Sequence, residues 1–396
     1  MVPITEIEKN DYNLNIPRYI DSQEAEDIQD IEAHLLGDIP NHDVDELSDY
    51  WEVYPSLKAE LFQKSSRKDY SALKIEKDEI KKAIFNHPEF TANSDLMDNV
   101  FHEWRTDTTQ FLKGLKEGLL PKQVIHTISE GILMFYTDKS LLSKYDVYQH
   151  LLNYWIETMQ DDLYEISLDG WKAGKEVTRL RKESKNNKKE TVLKEVSGFA
   201  GLEGRLIPTE LIIQVYFEKE QSVIHDLEAK KETVIAKMEE LREENGGEEG
   251  LLCEVLDDKQ KISRKNLQSR MKELGKKNNE NREEWEILQQ YQKMMDEESE
   301  LIWQINEKLY ELEMKVVEKY PTLSETEIKT IVVDHKWMGS IEKDVKTEMD
   351  RISQRLTQRI KELAERYEKP LPEMAKDVDE LEKKVKGHLE KMGFRV

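Results

Sequence analysis

The stretch REEWEILQQYQKMMDEESELIWQINEKLYELEMKVVEKY occupies residues 282–320. Within it Leu288, Tyr291, Met295, Glu298, Ile302, Ile305, Leu309, Leu312 and Val316 recur in steps of three and four. That spacing lays one mostly apolar stripe along a helix. At ~1.5 Å per residue the helix would be roughly 60 Å long. Upstream, Ile224, Leu227, Lys231, Val234, Met238 and Leu241 form a second seam with one polar position at Lys231. Asn245-Gly246-Gly247 breaks that helix. Two seams joined by a break predict an antiparallel coiled-coil hairpin over 209–320, with 246–281 as a structured tip. The fold class that follows is mainly all-α with minor short strands.

Downstream, Ser324 and Glu327 have capping-box spacing. The hydrophobic period then changes: Val345, Leu356 and Tyr367 are eleven apart, as are Met349, Ile360 and Leu371, and Ile352, Leu363 and Met374. An 11-residue repeat suits straight or slightly right-handed bundles. Pro370 and Pro372 interrupt it, and a last helix over 374–392 offers Val378, Leu381, Val385, Leu389 and Met392. These C-terminal helices fill 321–396.

Towards the N-terminus, 71–175 reads as a compact helical domain. Ser94 caps a helix carrying Leu96, Val100, Trp104, Phe111 and Leu115, and Pro121 opens the next. Val147, Leu151, Tyr154, Trp155 and Met159 point a third helix inward, and 163–168 is expected to be a short strand ending at Asp169-Gly170. Residues 23–70 read as an acidic helical segment with a Glu24–Leu36 helix, and 1–22 as an extended arm in which Tyr12, Leu14 and Ile16 alternate with polar residues. Residues 176–208 read as a basic, glycine-rich loop.

The chain has 396 residues, 37% hydrophobic and 36% charged, a ratio that suits long solvated helices. The single Cys253 excludes an internal disulfide framework, and no apolar run approaches the ~20 residues of a membrane span. The expected location is the cytoplasm. Net charge is −23, which argues against a chain that coats DNA, but the charge is uneven. Thirteen acids and one base lie in 21–62, nine bases and three acids in 172–194, and eight bases and one acid in 259–277. Local field matters more than the total for a polyanion. The candidates for DNA contact are therefore Lys182, Lys185, Lys188, Lys189, Lys259, Lys261, Arg264, Lys265, Arg270, Lys276 and Lys277.

Catalytic and ligand motifs are missing from the sequence. No Gly-x-Gly-x-x-Gly loop occurs, the spacing of Gly198, Gly201 and Gly204 is wrong for one, and no two prolines are adjacent. No His/Cys pattern has metal-ligand spacing. Asp161-Asp162 is the best acidic pair for a cation and the acid-rich 21–30 is another, with a solvated helix end the plainer reading of the first.

Several strings resemble the methyltransferase (M) subunit of type I DNA restriction-modification systems. Asn10-Asp11-Tyr12-Asn13-Leu14-Asn15-Ile16-Pro17-Arg18-Tyr19-Ile20-Asp21 is similar to the segment that closes the catalytic domain in that family. Residues 140–171, Leu206-Ile207-Pro208, 217–221, 243–250, 320–338, 349–367, Lys369-Pro370-Leu371-Pro372 and 389–394 resemble its carboxy-terminal region. Only nine residues precede the first string, so the expectation is a post-catalytic, assembly-building part of such a subunit.

The resemblance implies a system that methylates adenine N6 with S-adenosylmethionine, the donor not being bound by this chain. It also implies docking to a specificity subunit, with a separate catalytic chain and a restriction subunit as further partners. Sequence reading belongs to the specificity subunit, so phosphate contacts are expected here. The docking candidates are Val345, Met349, Ile352, Leu356, Ile360, Leu363, Val378, Leu381, Val385 and Leu389, together with the arm at 221–316. The alternative is a free-standing helical coiled-coil scaffold with no tie to DNA.

Overall fold

A computed structural model describes residues 8, 9, 12, 29–185, 191–247, 250–257, 259–275 and 281–392; of 184, 185, 191 and 192 it describes the backbone alone. The string 10–21, apart from Tyr12, lies outside the described residues, as do Lys188, Lys189, Lys276 and Lys277. Helices make up 76% of the structure, and the strands are few and short. The chain forms two units, one from residues up to Met97 together with those from Met349 onward, the other from Asp98–Glu348.

In the first unit, short helices Ile31–Leu36, Asn41–Asp45, Ser48–Val53 and Pro55–Leu61 accompany a three-stranded antiparallel sheet. Its strands are β1 Ile39–Pro40, β2 Phe62–Lys64 and β3 Tyr70–Leu73, in the order β1-β3-β2. Of the helix expected over Glu24–Leu36, residues 24–28 lie outside the described residues, and the described helix is Ile31–Leu36. Asp30 is extended, and its carboxylate accepts the Ala33 N–H at 2.8 Å, a cap that marks a start. Ile31 and Leu35 are exposed and Ala33 is buried. Leu57, Leu61, Ile80 and Ile84 form the core with Ile352, Leu356, Ile360, Leu363 and Tyr367, all buried. Tyr50 donates to the Ile352 carbonyl at 3.2 Å, and Arg359 pairs with Glu46 at 2.9 Å.

The second unit is built on helices Pro121–Phe135, Lys144–Tyr154 and Gln160–Asp169 and on the helix Pro88–Lys113 from Asp98 onward. That last helix runs through Ser94, which caps nothing, and Leu96 and Phe111 are exposed. Trp104, Leu112, Val124, Ile128 and Ile132 are buried, and the Trp104 indole donates to the Ile128 carbonyl. The expected strand 163–168 is helix. Leu163 and Ile166 are buried, whereas Tyr164 and Leu168 are exposed, a spacing of three rather than two.

The expected loop 176–208 contains four strands. β4 Val177–Arg179 pairs antiparallel with β7 Leu202–Gly204, and β5 Arg181–Lys185 with β6 Thr191–Glu195. Gly201 and Gly204 serve backbone packing rather than flexibility or a ligand. A Cβ at either would lie 1.9 Å from a carbonyl oxygen, that of Val196 or Ile207.

The arm follows. Helix Glu218–Asn245 packs on helix Arg282–Thr322, and the direction is fixed by two sets of contacts. Glu220 pairs with Lys315 at 2.9 Å at one end, and Val234 and Met238 cluster with Leu288 and Tyr291 at the other. The helices are therefore antiparallel. The seam slips once: Leu301 is 8% exposed and Ile302 43%. A straight helix has 3.6 residues per turn, so a strict heptad drifts off the contact line over this length.

Candidate nucleic-acid contact surface and docking helix

The tip of the arm is a small packed unit. Leu252, Val255 and Leu267 are fully buried, with Ile262, Met271 and Leu274 against them. Helix Arg264–Leu274 starts where Ser263 accepts the Asn266 N–H at 3.1 Å. Before it, the Asp257 carboxylate accepts the backbone N–H groups of Lys259 at 2.9 Å and Lys261 at 2.8 Å, which tightens the turn and turns those two residues outward.

The cations of the tip divide into two kinds. Arg264 pairs with Asp296 at 3.0 Å and donates to the Met295 carbonyl and the Ser299 hydroxyl, both at 3.0 Å. Arg270 pairs with Glu284 at 2.7 Å, a contact that raises its pKa. Both arginines tie the tip to the long helix, so part of their charge is met within the chain. Lys259, Lys261 and Lys265 are exposed and have no ion pair among the described residues. Lys272, which the sequence reading did not select, shares this state. Its signal was its place seven residues after Lys265, two turns along the same helix face. A groove of about 650 Å³ beside the turn is lined by Lys259, Lys261 and Arg242 but also by Glu239 and Glu243.

A second basic patch lies on the β5–β6 pair. Lys182 stands directly opposite Lys194 in the antiparallel register, with Arg181 paired to Glu195 at 3.0 Å beside them. Like charges in that position repel unless an anion lies between them. Lys194 was also missed by the sequence reading, because a cross-strand partner is visible only once register is known. The side chain of Lys185 lies outside the described residues. The structure does not merge the two patches. Arg179, which ends β4 two residues before β5, is bound by Glu313, whereas the tip is bound by Asp296 of the same helix. Those anchors are seventeen residues apart, about 26 Å along the helix axis.

Asp162 is not open to a cation. Lys336 Nζ donates to its two oxygens at 2.8 and 2.7 Å and to the Leu206 carbonyl at 2.8 Å, and Trp337 Nε1 donates to Oδ2 at 2.7 Å. Burial lifts the carboxyl above its ordinary range while Lys336 pulls against it. Both Lys336 and Trp337 belong to the π-helical stretch Thr330–Trp337, whose i→i+5 bonding changes which side chains share a face. No group of three or more His, Cys, Asp or Glu suited to a metal occurs among the described residues.

The docking candidates also divide. Val345, Ile352, Leu356, Ile360 and Leu363 are buried within the chain and offer nothing to a partner; Met349 is half-buried. Up to Tyr367 the eleven-residue period describes an internal stripe, whereas Leu371 and Met374, which continue it, are exposed. By contrast helix Leu371–Lys391 buries no residue at all: Val378, Leu381 and Val385 are 61%, 58% and 56% exposed, and Leu389 is half-buried. Among the described residues no helix is long and apolar enough to cross a membrane.

Comparison of the chain with protein-family models, with curated proteins and with solved structures finds no match.

Proposed function

We propose that this chain is an assembly and DNA-contact module corresponding to the post-catalytic region of a type I restriction-modification M subunit. In this reading the arm at 221–316 docks on a helical specificity subunit, and the tip and the β5–β6 pair touch DNA phosphates. The observation that carries the reading is the sorting of the tip cations. The arginines hold the structure together, while Lys259, Lys261, Lys265 and Lys272 stay exposed without ion pairs among the described residues, on a chain of net charge −23. The acids that anchor the two patches, Glu313 and Asp296, are about 26 Å apart along the helix axis, less than one ~34 Å helical turn of a duplex.

Exposed lysines grip phosphate by charge, so binding should be weak, indifferent to sequence and strongly dependent on salt. Anisotropy titrations with two unrelated duplexes between about 50 and 200 mM salt read this directly. Changing the four lysines to Gln should flatten the slope of log K against log salt by up to ~0.9 for each phosphate that is no longer neutralised. A preference for one duplex that persists at high salt would move base reading into this chain and overturn the assignment.

The second reading is a helical scaffold with no tie to DNA, and the net charge of −23 favours it. A flat salt response in the same titration would select it.

A further inference from the structure

The helix Leu371–Lys391 carries an apolar seam that stays largely uncovered among the described residues. Leu371, Met374, Val378, Leu381, Val385 and Met392 are each about half exposed or more and step by 3, 4, 3, 4 and 7. In heptad terms Leu371, Val378, Val385 and Met392 occupy a, and Met374, Leu381 and His388 occupy d. An exposed stripe of this length marks an interaction face. Helix Ile31–Leu36 of the same unit packs against it, yet the residues from Met374 onward remain exposed or half-buried.

The flanking charges say what fits. Asp377 and Lys384 lie on one flank, at g; Ala375 and Glu382 lie on the other, at e. Two copies side by side and parallel would set g against e, placing Asp377 opposite Glu382 of the second copy, twice by symmetry. Two antiparallel copies set g against g. With Val378 opposite Leu381 and Met374 opposite Val385, Asp377 then meets Lys384 of the second copy, again twice, and Glu382 meets only Ala375. The single chain leaves Asp377 and Lys384 available, whereas Glu382 pairs with Lys386 of its own helix at 2.7 Å. Asp377 reaches Lys369 at 2.8 Å, but both side chains are more than half exposed and the contact exchanges at little cost. Lys384 is exposed, with no ion pair among the described residues.

We infer that this helix pairs with the same helix of a second copy as an antiparallel two-stranded coiled coil. The pairing is independent of the DNA reading, and it occupies a face that reading does not use.

Sedimentation equilibrium of the full chain should show a concentration-dependent dimer. V378D/L381D should abolish it while leaving the circular dichroism and melting of the rest unchanged, because both residues are exposed. Charge reversal separates the orientations. D377K and K384D should each weaken the dimer about tenfold, since two attractive pairs become repulsive, and D377K/K384D should restore it. A chain that is monomeric at every concentration overturns the inference, as does a dimer that survives V378D/L381D. A tighter dimer for D377K would mean parallel pairing and overturn it equally.

Discussion

Replacing Lys336 by Met should cost about 3–5 kcal/mol of stability at neutral pH. The side chain is 12% exposed and that of Asp162 8%, so neither is rescued by water. In the variant, Asp162 keeps only the Trp337 N–H among its side-chain donors and remains a buried, unpaired carboxylate. The pH dependence follows from the direction of its shift. Burial already raises this carboxyl above 3.8, and loss of the ammonium raises it further. A carboxyl with a raised folded pKa favours the fold in its protonated form. Its contribution is fully present below 3.8 and is lost as pH rises through the folded value. The deficit of K336M should therefore shrink on going from about pH 7 toward about pH 4. Adding Asp162→Asn should recover part of it, because a neutral amide oxygen still accepts from Trp337 without a charge to bury. Urea melts followed by tryptophan fluorescence measure all three. A cost under about 1 kcal/mol, equal at both pH values, would show that water reaches the pair and would refute the argument.

Leu267→Ala should cost about 2–5 kcal/mol within the tip, since Leu267 is fully buried among Leu252 and Val255. Amide exchange should accelerate across 252–274 while the arm helices stay protected; uniform protection would show that the tip has no core of its own. Leu309→Pro should break the long helix at about 3 kcal/mol or more, read as lost helicity and a lower melting point. Glu327 is held down to about 2 by its capping hydrogen bonds to Ser324, with Tyr216 and Lys319 adding to them. A depressed carboxyl contributes above its ordinary 4.5 and loses that contribution as pH falls toward about 2. Glu327→Gln should flatten the acid limb of the stability curve in that window, and an unchanged curve would show that the box does not bear on stability.

Helices were legible in the sequence because their signals are local. The 3-4 spacing in 221–241 and 282–320 requires a helix whatever covers the stripe, and Asn245-Gly246-Gly247 ends one without reference to anything distant. The Ser324–Glu327 capping box spans one turn, and both of its hydrogen bonds are present in the fold. Basic composition likewise marked the tip. What it could not do was separate Arg264 and Arg270, held by acids on another helix, from the lysines beside them.

The strand expected at 163–168 failed on local spacing, but the other misses depended on residues far apart in the chain. Strands of three to five residues pair only when the partner is in register, so β4 with β7 and Lys182 opposite Lys194 had no signature along the sequence. Lys336, 174 residues from Asp162, occupies the place where a metal or solvent was weighed. The 11-residue stripe and the final heptad looked alike as hydrophobic patterns, yet Leu356 is buried and Val378 exposed. Periodicity determines that a helix has a face needing cover. Only the packing of the whole chain decides whether that cover comes from within, because burial depends on which surfaces remain after every other stripe has found its partner.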